Sequence, residues 1–265
     1  MPKVITLQTS FNSGVLDPRL VARTDLKHFY QGASEATNVI TMPQGGIKRR
    51  PGFKYVATIN AESRLAAFAF NVEQTYLMVF TNLSVAIYKD GAHQADVTTP
   101  WTTAQLFELQ WTQSADTMIL VHEDHAPQKL VRGGSHTSWT LSAITLTNIP
   151  THDFGSGAVA VWSSGQGYPK SVTFYQGRLW FGGSKTRPQT VWGSKTNDFY
   201  NFDDGTSLDD EGIDITLDTD QVNAITSVYA GRHLNIFTTG GEFSIQDTPI
   251  TPAKVAVRRQ TLYGS

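Results

Sequence analysis

The chain has 265 residues, of which 40% are hydrophobic and 17% charged, enough apolar material for a packed core and too much for general disorder. Its formal net charge of −2 is not that of a polycation, so avid non-specific nucleic-acid binding is excluded as a bulk property and any basic patch must be local. The absence of cysteine removes disulfide and thiolate chemistry, no apolar run approaches the ~20 residues of a membrane helix, and "MPKVITLQTSFNSG" is too polar for a signal-peptide core, which together predict a soluble protein made in the cytoplasm.

Residues 1–60 read as an N-terminal segment of extended chain and turns carrying one short helix. In "TDLKHFYQG", Thr24 is the expected N-cap, Leu26, Phe29 and Tyr30 share a face, and Gly32 is the stop. "MPQGGIKRRPGF", Met42 to Phe53, follows. Gly45-Gly46 allows a reversal, and "RRPG" suits a type II turn with Pro51 presetting φ and Gly52 accepting a positive φ. Two such turns would hold Lys48, Arg49 and Arg50 on a short rigid piece of chain. Arginine forks there suit the carboxylates of the same or a neighbouring subunit, or DNA phosphate; solvated side chains are the plain alternative.

From Arg64 onward the pattern has period two. Leu83, Val85 and Ile87 alternate with polar or small neighbours before Asp90-Gly91 turns the chain. Leu234 and Ile236 precede Gly240-Gly241, with Phe243 and Ile245 after it. Four strand groups recur, with central strands starting near Tyr76, Thr117, Arg178 and His233. Several strands per ~40–50 residues is the period of propeller blades, with insertions at about 145–168 and 203–221 lengthening two spacings. The chain rich in aromatics, glycine and proline is therefore expected to be all-β, with residues 61–265 forming β-propeller-like blades in an incomplete ring. An ordinary β-sandwich with irregular loops is the competing architecture. The final run, "KVAVRRQTLYGS", is expected to be frayed or paired to another chain, since an edge strand needs a neighbour.

Motifs that carry chemistry are sparse. "HEDH", His122 to His125, offers imidazoles and carboxylates, but it follows the strand "TMILV" and reads as a loop; the zincin spacing needs a helix. Asp203, Asp204, Asp209, Asp210 and Glu211, with Asp214, Asp218 and Asp220 beyond them, concentrate acids without EF-hand spacing, and read as a partner-facing acidic loop. No G-x-S-x-G elbow and no complete phosphate loop is present. No catalytic residue, cofactor or metal site is expected.

"FNSGVLDPRLVARTDLKHFYQGASEATNVITMPQGGIKRRPGFKYV" resembles the amino-terminal signature of the phage tail nozzle family, also called tail tubular protein B or head-to-tail stabilisation proteins of short-tailed phages. The matching positions are Gly14, Pro18, Arg23, Asp25, Tyr30, Asn38, Gly45, Gly46, Arg49, Arg50, Pro51 and Gly52. Later blocks, "QSADTMILVHEDHAPQKLVR", "FYQGRLWFGGSKTRPQTVWGSKTNDFYNF" and "VRRQTLYGS", are similar too. "FNSGVLDPRL" departs from the family's start, lacking its double glycine and Ser-Pro. The resemblance implies a propeller-like fold and a structural role. It implies a homo-oligomeric ring, a hexamer, that extends the tail channel below the portal and adaptor. Adaptor and tail proteins would be partners, DNA would pass transiently, and no membrane insertion is implied. The location would be the virion tail, after assembly in the host cytoplasm. Lys48, Arg49 and Arg50 would be subunit or scaffold contacts. A carbohydrate-binding β protein using exposed Trp and Tyr, and a propeller-fold glycoside hydrolase using acids of 203–220, are the alternatives from other classes.

Overall fold

Strands whose two faces are both apolar must be covered twice, and this rule organises the longer part of the chain. The computed structural model describes residues 7–20, 22–206, 208–219 and 223–265. The chain divides into two compact units, Met1–Ala57 and Thr58–Ser265.

The first unit holds short elements only. Strands β1 (Gly14–Val15) and β2 (Gly32–Ala33) pair in parallel, and β3 (Val39–Thr41) and β4 (Ile47–Arg49) form an antiparallel ribbon. The ribbon reverses at Gly45, whose φ of +103° no side chain adopts readily; a Cβ there would also stand 3.2 Å from Ser10. The expected helix is a 3₁₀ segment, Lys27–Gln31. Its N-cap is Leu26, with no side-chain cap bond, so Thr24 does not start it. Five polar or aromatic residues after a non-capping leucine provide only one tight turn.

The second unit contains four four-stranded antiparallel sheets, each in simple chain order. Sheet I is β5 (Arg64–Ala69), β6 (Thr75–Thr81), β7 (Ser84–Lys89) and β8 (Ala92–Thr98). Sheet II is β9 (Gln110–Ser114), β10 (Thr117–His122), β11 (His125–Arg132) and β12 (Trp139–Ala143). A hairpin of β13 (Thr151–Asp153) and β14 (Ala158–Ala160) occupies the first insertion. Sheet III is β15 (Ser171–Tyr175), β16 (Arg178–Gly182), β17 (Thr190–Gly193) and β18 (Ile213–Thr216). Sheet IV is β19 (Ile225–Ala230), β20 (Leu234–Thr238), β21 (Gly241–Ile245) and β22 (Val257–Thr261). The second strand of each sheet coincides with a central strand marked by the apolar pattern. The second insertion is not all loop, because Ile213 and Ile215 of 203–221 complete sheet III.

Asp90 and Gly91 have φ of 53° and 82°, the pair of left-handed residues that a two-residue hairpin between β7 and β8 requires. The "RRPG" stretch behaves otherwise. Gly52 is not among the positive-φ glycines, and residues 50–60 carry no turn or strand. The reversal at Gly45 has already brought β4 back along β3, and Pro51 fixes an extended φ that continues outward.

Three cores separate the four sheets. Met118 and Leu120 of β10 pack with Phe68, Met78, Phe80 and Ile87 of sheet I. The intervening residues of the same strand, Ile119 and Val121, pack with Leu179, Phe181 and Trp192 of sheet III. Strand β16 repeats the device: Leu179 and Phe181 face sheet II, while Trp180 faces Leu234, Ile236 and Phe243 of sheet IV. Alternate side chains point to opposite faces of a strand, so a continuous apolar run serves two cores. None of these clusters joins sheet IV back to sheet I among the described residues.

Polar side chains bind the sheets along their first strands. Gln113 of β9 both donates to the Ala69 carbonyl (2.8 Å) and accepts from the Ala69 amide (3.0 Å) of β5. Gln110 of β9 donates to the Thr226 carbonyl of β19 at 2.7 Å, and the Val228 amide donates to buried Ser171 Oγ of β15 at 2.7 Å. An edge strand exposes unpaired backbone groups; here side chains satisfy several of them. Sheets I and II are further joined by arginines. Arg64 donates to the Leu106 carbonyl at 2.8 Å and lies 4.5 Å over the Trp111 ring, and Arg132 donates to the Tyr76 hydroxyl at 2.9 Å and lies 4.5 Å over Phe70.

The terminal strand is ordered within its own sheet: β22 pairs along β21 with Val257 opposite Ile245, and is the outer strand of sheet IV. Val257 joins the edge of the core it shares with Ile245, whereas Leu262 is exposed.

Because β10 supplies two cores, Leu120→Ala should destabilise the protein by about 2–5 kcal/mol. Leu65→Ala, on the outer face of sheet I and 57% exposed, should cost under about 1 kcal/mol. Urea unfolding of both variants checks this; equal losses would show that the two faces of sheet I are covered alike.

Candidate functional sites

The basic stretch is built on the β3–β4 ribbon. Lys48 lies opposite Ile40 and Arg49 opposite Val39, and both cations are exposed. Neither has an ion-pair partner among the described residues. Arg50 is engaged, but not by a carboxylate. Its amide donates to the Asn38 carbonyl at 2.9 Å, its Nε and Nη2 each lie 3.3 Å from Asn38 Oδ1, and its guanidinium sits 4.5 Å over the Phe53 ring. The expectation of carboxylate partners within the chain is therefore corrected: Asn38, held at φ 58°, turns its amide oxygen to Arg50, and the planar cation stacks on the nearest ring.

Other residues of the same segment act on one another. Arg23 grips Asp25 with two parallel bonds, 2.8 Å and 2.7 Å, and this bond holds the Asp25 carboxyl below its ordinary value. Gly32 lies against Leu16, where any Cβ would collide with the leucine side chain. Tyr30 is exposed and meets Phe29 edge to face at 5.4 Å. Residues 51–62 are exposed throughout, and Phe53 is 91% exposed.

Charge divides sharply between the units. Met1–Ala57 contains 8 Lys and Arg against 3 Asp and Glu, a formal +5, and Thr58–Ser265 contains 13 against 20, a formal −7. The small total conceals this asymmetry.

The acidic loop lies between β17 and β18. Its five marked residues do not share one role. Asp204, Asp209 and Asp210 are exposed. Asp203 approaches Lys195 at 3.9 Å and accepts from the Gly205 amide. Glu211 is buried and does not face a partner: its carboxylate accepts from the Leu208 amide at 3.0 Å and lies 3.4 Å from the Thr206 hydroxyl, closing the loop on itself. The loop is anchored by Arg178, the first residue of β16, which is 1% exposed. Arg178 donates to the carbonyls of Ser194 (2.6 Å), Asp209 (2.6 Å) and Glu211 (2.5 Å). Sequence reasoning read the acids as a partner-facing loop and missed the arginine. The only signal was a charged residue opening an otherwise apolar strand, "RLWFG". Asp214 and Asp218 lie beyond the loop; Asp214 pairs with Arg187 at 2.6 Å and accepts from Trp192 Nε1 at 3.0 Å. Asp220 lies outside the described residues.

"HEDH" is a hairpin tip, not a free loop. His122 ends β10 and His125 begins β11, directly paired. The Asp124 amide donates to His122 Nδ1 at 3.1 Å, so Nε2 carries the proton toward Glu108 at 3.1 Å. Both ring nitrogens of His122 are thus occupied. No group of three or more His, Asp or Glu is disposed to hold a metal ion among the described residues.

The tryptophans mostly serve the cores. Trp101, Trp162, Trp180 and Trp192 are buried, and Trp111 and Trp139 are half-buried against the first core.

No model of a known protein family matches the chain, and no curated protein matches it.

Replacing Arg178 with Met should leave three carbonyls without this donor, those of Ser194 and Glu211 buried and that of Asp209 part-buried. Bonds to a charged donor are worth about 1.5–3 kcal/mol each, so a loss of at least about 3 kcal/mol is expected in urea unfolding. Limited proteolysis should open first between residues 203 and 211. Resistance there equal to that of the parent protein would show that the loop is held by other contacts.

Burial, then the neighbouring His122, pushes the His125 imidazole below its ordinary value, with Asp124 opposing. The unfolded chain, titrating near ~6.5, therefore takes up this proton at higher pH than the folded protein does. The associated stability is present above that pH and is lost as pH falls toward the depressed folded value. His125→Gln should flatten the slope of stability against pH just below 6.5; an unchanged slope would assign it to other groups.

Proposed function

We propose that this chain is a ring-forming structural subunit of a short-tailed phage tail, of the nozzle or tail tubular type, extending the channel through which DNA leaves the particle. The four sheets would be blades of an open, propeller-like arc. The observation that carries the reading is the repetition itself: four meanders of four strands, each laid face to face on the next through a shared core. That is how blades pack in propellers, and it occurs in the chain whose first segment has the nozzle-like sequence.

The first segment adds support. Positions carrying the resemblance hold one another: Arg23 with Asp25, Asn38 with Arg50, and Gly45 at the ribbon's reversal. These are scaffold contacts, which suits a structural role with no catalytic residue. The formal −7 of the strand-rich unit suits a channel wall, since phosphate contacts made by cations would retard moving DNA. Adaptor and other tail proteins would be the partners, and the virion tail the location, after assembly in the host cytoplasm.

Negative-stain electron microscopy of the purified protein tests this reading. Rings of equal subunits with a central opening are expected, growing with protein concentration. Monomers alone at every concentration, or specific glycan binding by monomers, would overturn it.

A further inference from the structure

We infer that the basic first segment of one copy docks on the acidic strand-rich unit of a second copy of this chain, so that subunits are joined by an exchanged arm. The inference rests on the ring-forming reading above and names what binds the subunits together.

The first observation is that the segment makes no core of its own. Among the described residues of Met1–Ala57, Gly45 alone is buried. Val15, Tyr30, Ile40, Met42, Ile47 and Phe53 are all exposed. Backbone ordering costs about 1–2 kcal/mol per residue, and segments this small seldom offset that without an external surface. The segment nevertheless has defined strands, a gripped Arg23–Asp25 pair and a glycine-specific reversal. That is the composition of an arm shaped for a surface, with apolar residues left outward.

The second observation selects the surface. The segment carries +5 and the strand-rich unit −7. Opposite fields steer association and suppress wrong partners. Lys48 and Arg49 are exposed without an ion-pair partner among the described residues, and a few residues further on Phe53 is exposed with the Arg50 guanidinium over its ring. A short stretch that carries both two unpaired cations and an exposed phenyl ring fits an acidic protein face with apolar gaps better than a phosphate backbone, which offers no cover for a phenyl ring. The third observation is reach. Residues 51–62 are exposed and carry no regular structure, and twelve extended residues span up to ~40 Å, enough to cross from one subunit to its neighbour.

The full chain is tested with a photo-crosslinking phenylalanine analogue at position 53, in an equal mixture of ¹⁴N- and ¹⁵N-labelled protein. Crosslinks from position 53 to peptides of 58–265 should be found in mixed-isotope pairs. Same-isotope pairs alone would place the segment on its own chain and overturn the inference. A second variant, Lys48→Glu with Arg49→Glu, alters exposed side chains only and should fold normally. It should weaken self-association at least tenfold by sedimentation, with the parent's association falling as salt is raised. If self-association is unchanged and only DNA binding falls, the cations serve phosphate and the inference is wrong. Rings that form with same-isotope crosslinks would retain the ring reading and discard the arm. Mixed-isotope pairs in particles that are not rings would do the reverse.

Discussion

Strand β10 sets the terms for everything around it. In Met118-Ile119-Leu120-Val121 no polar residue interrupts the alternation, so neither face of sheet II can meet water. One face must find sheet I and the other sheet III. Strand β16 imposes the same demand one sheet further on, with Trp180 directed at sheet IV. Two strands of this kind suffice to line up four sheets. The hairpin turns, the insertions and the side-chain bonds along the first strands are adjustments within that arrangement. The chemistry of the chain sits at the margins left over, in the loop between β17 and β18 and in the first segment.

The polar joints have a consistent logic. Gln110, Gln113 and Ser171 present side-chain groups to backbone amides and carbonyls that a strand edge would leave unpaired. Arg64 and Arg178 do the same for carbonyls of connecting chain. A guanidinium has five donors in a fixed plane, so one residue can satisfy several carbonyls that no single amide could reach. Arginine at the start of a strand thereby substitutes for secondary structure where the chain is irregular.

Much of this was legible in the sequence. All-β character, the start of the strand-rich region at Arg64, and the second strand of each sheet follow from alternation, because a buried strand has little freedom to hide its pattern. The failures fall where local signals compete. "TDLKHFYQG" has a cap and an apolar face, yet makes a single 3₁₀ turn, since three apolar residues cannot fund a longer helix without a surface to cover. "RRPG" has the residues of a type II turn, but Gly52 is not used as one because the chain has already reversed at Gly45. Glu211 looked like one acid among five and is the one turned inward. Tryptophans that suggested sugar stacking are core residues. Charge asymmetry between the units was present in the residue counts but vanished in the total.

The loop that Arg178 holds has a further property. The guanidinium bonds main-chain carbonyls and leaves the carboxylates of Asp209 and Asp210 outside its grip. The grip of Arg178 on the loop and the charge displayed by Asp209 and Asp210 are therefore set by separate groups, while the inward Glu211 carboxylate closes the loop beside them. Carbonyl oxygens do not titrate, and contacts buried beneath the loop are screened little by dissolved ions. Salt can screen the negative charge that Asp209 and Asp210 display while the buried contacts of Arg178 hold the loop's outline. An acidic surface of this construction can lose an electrostatic partner and regain it with no refolding in between.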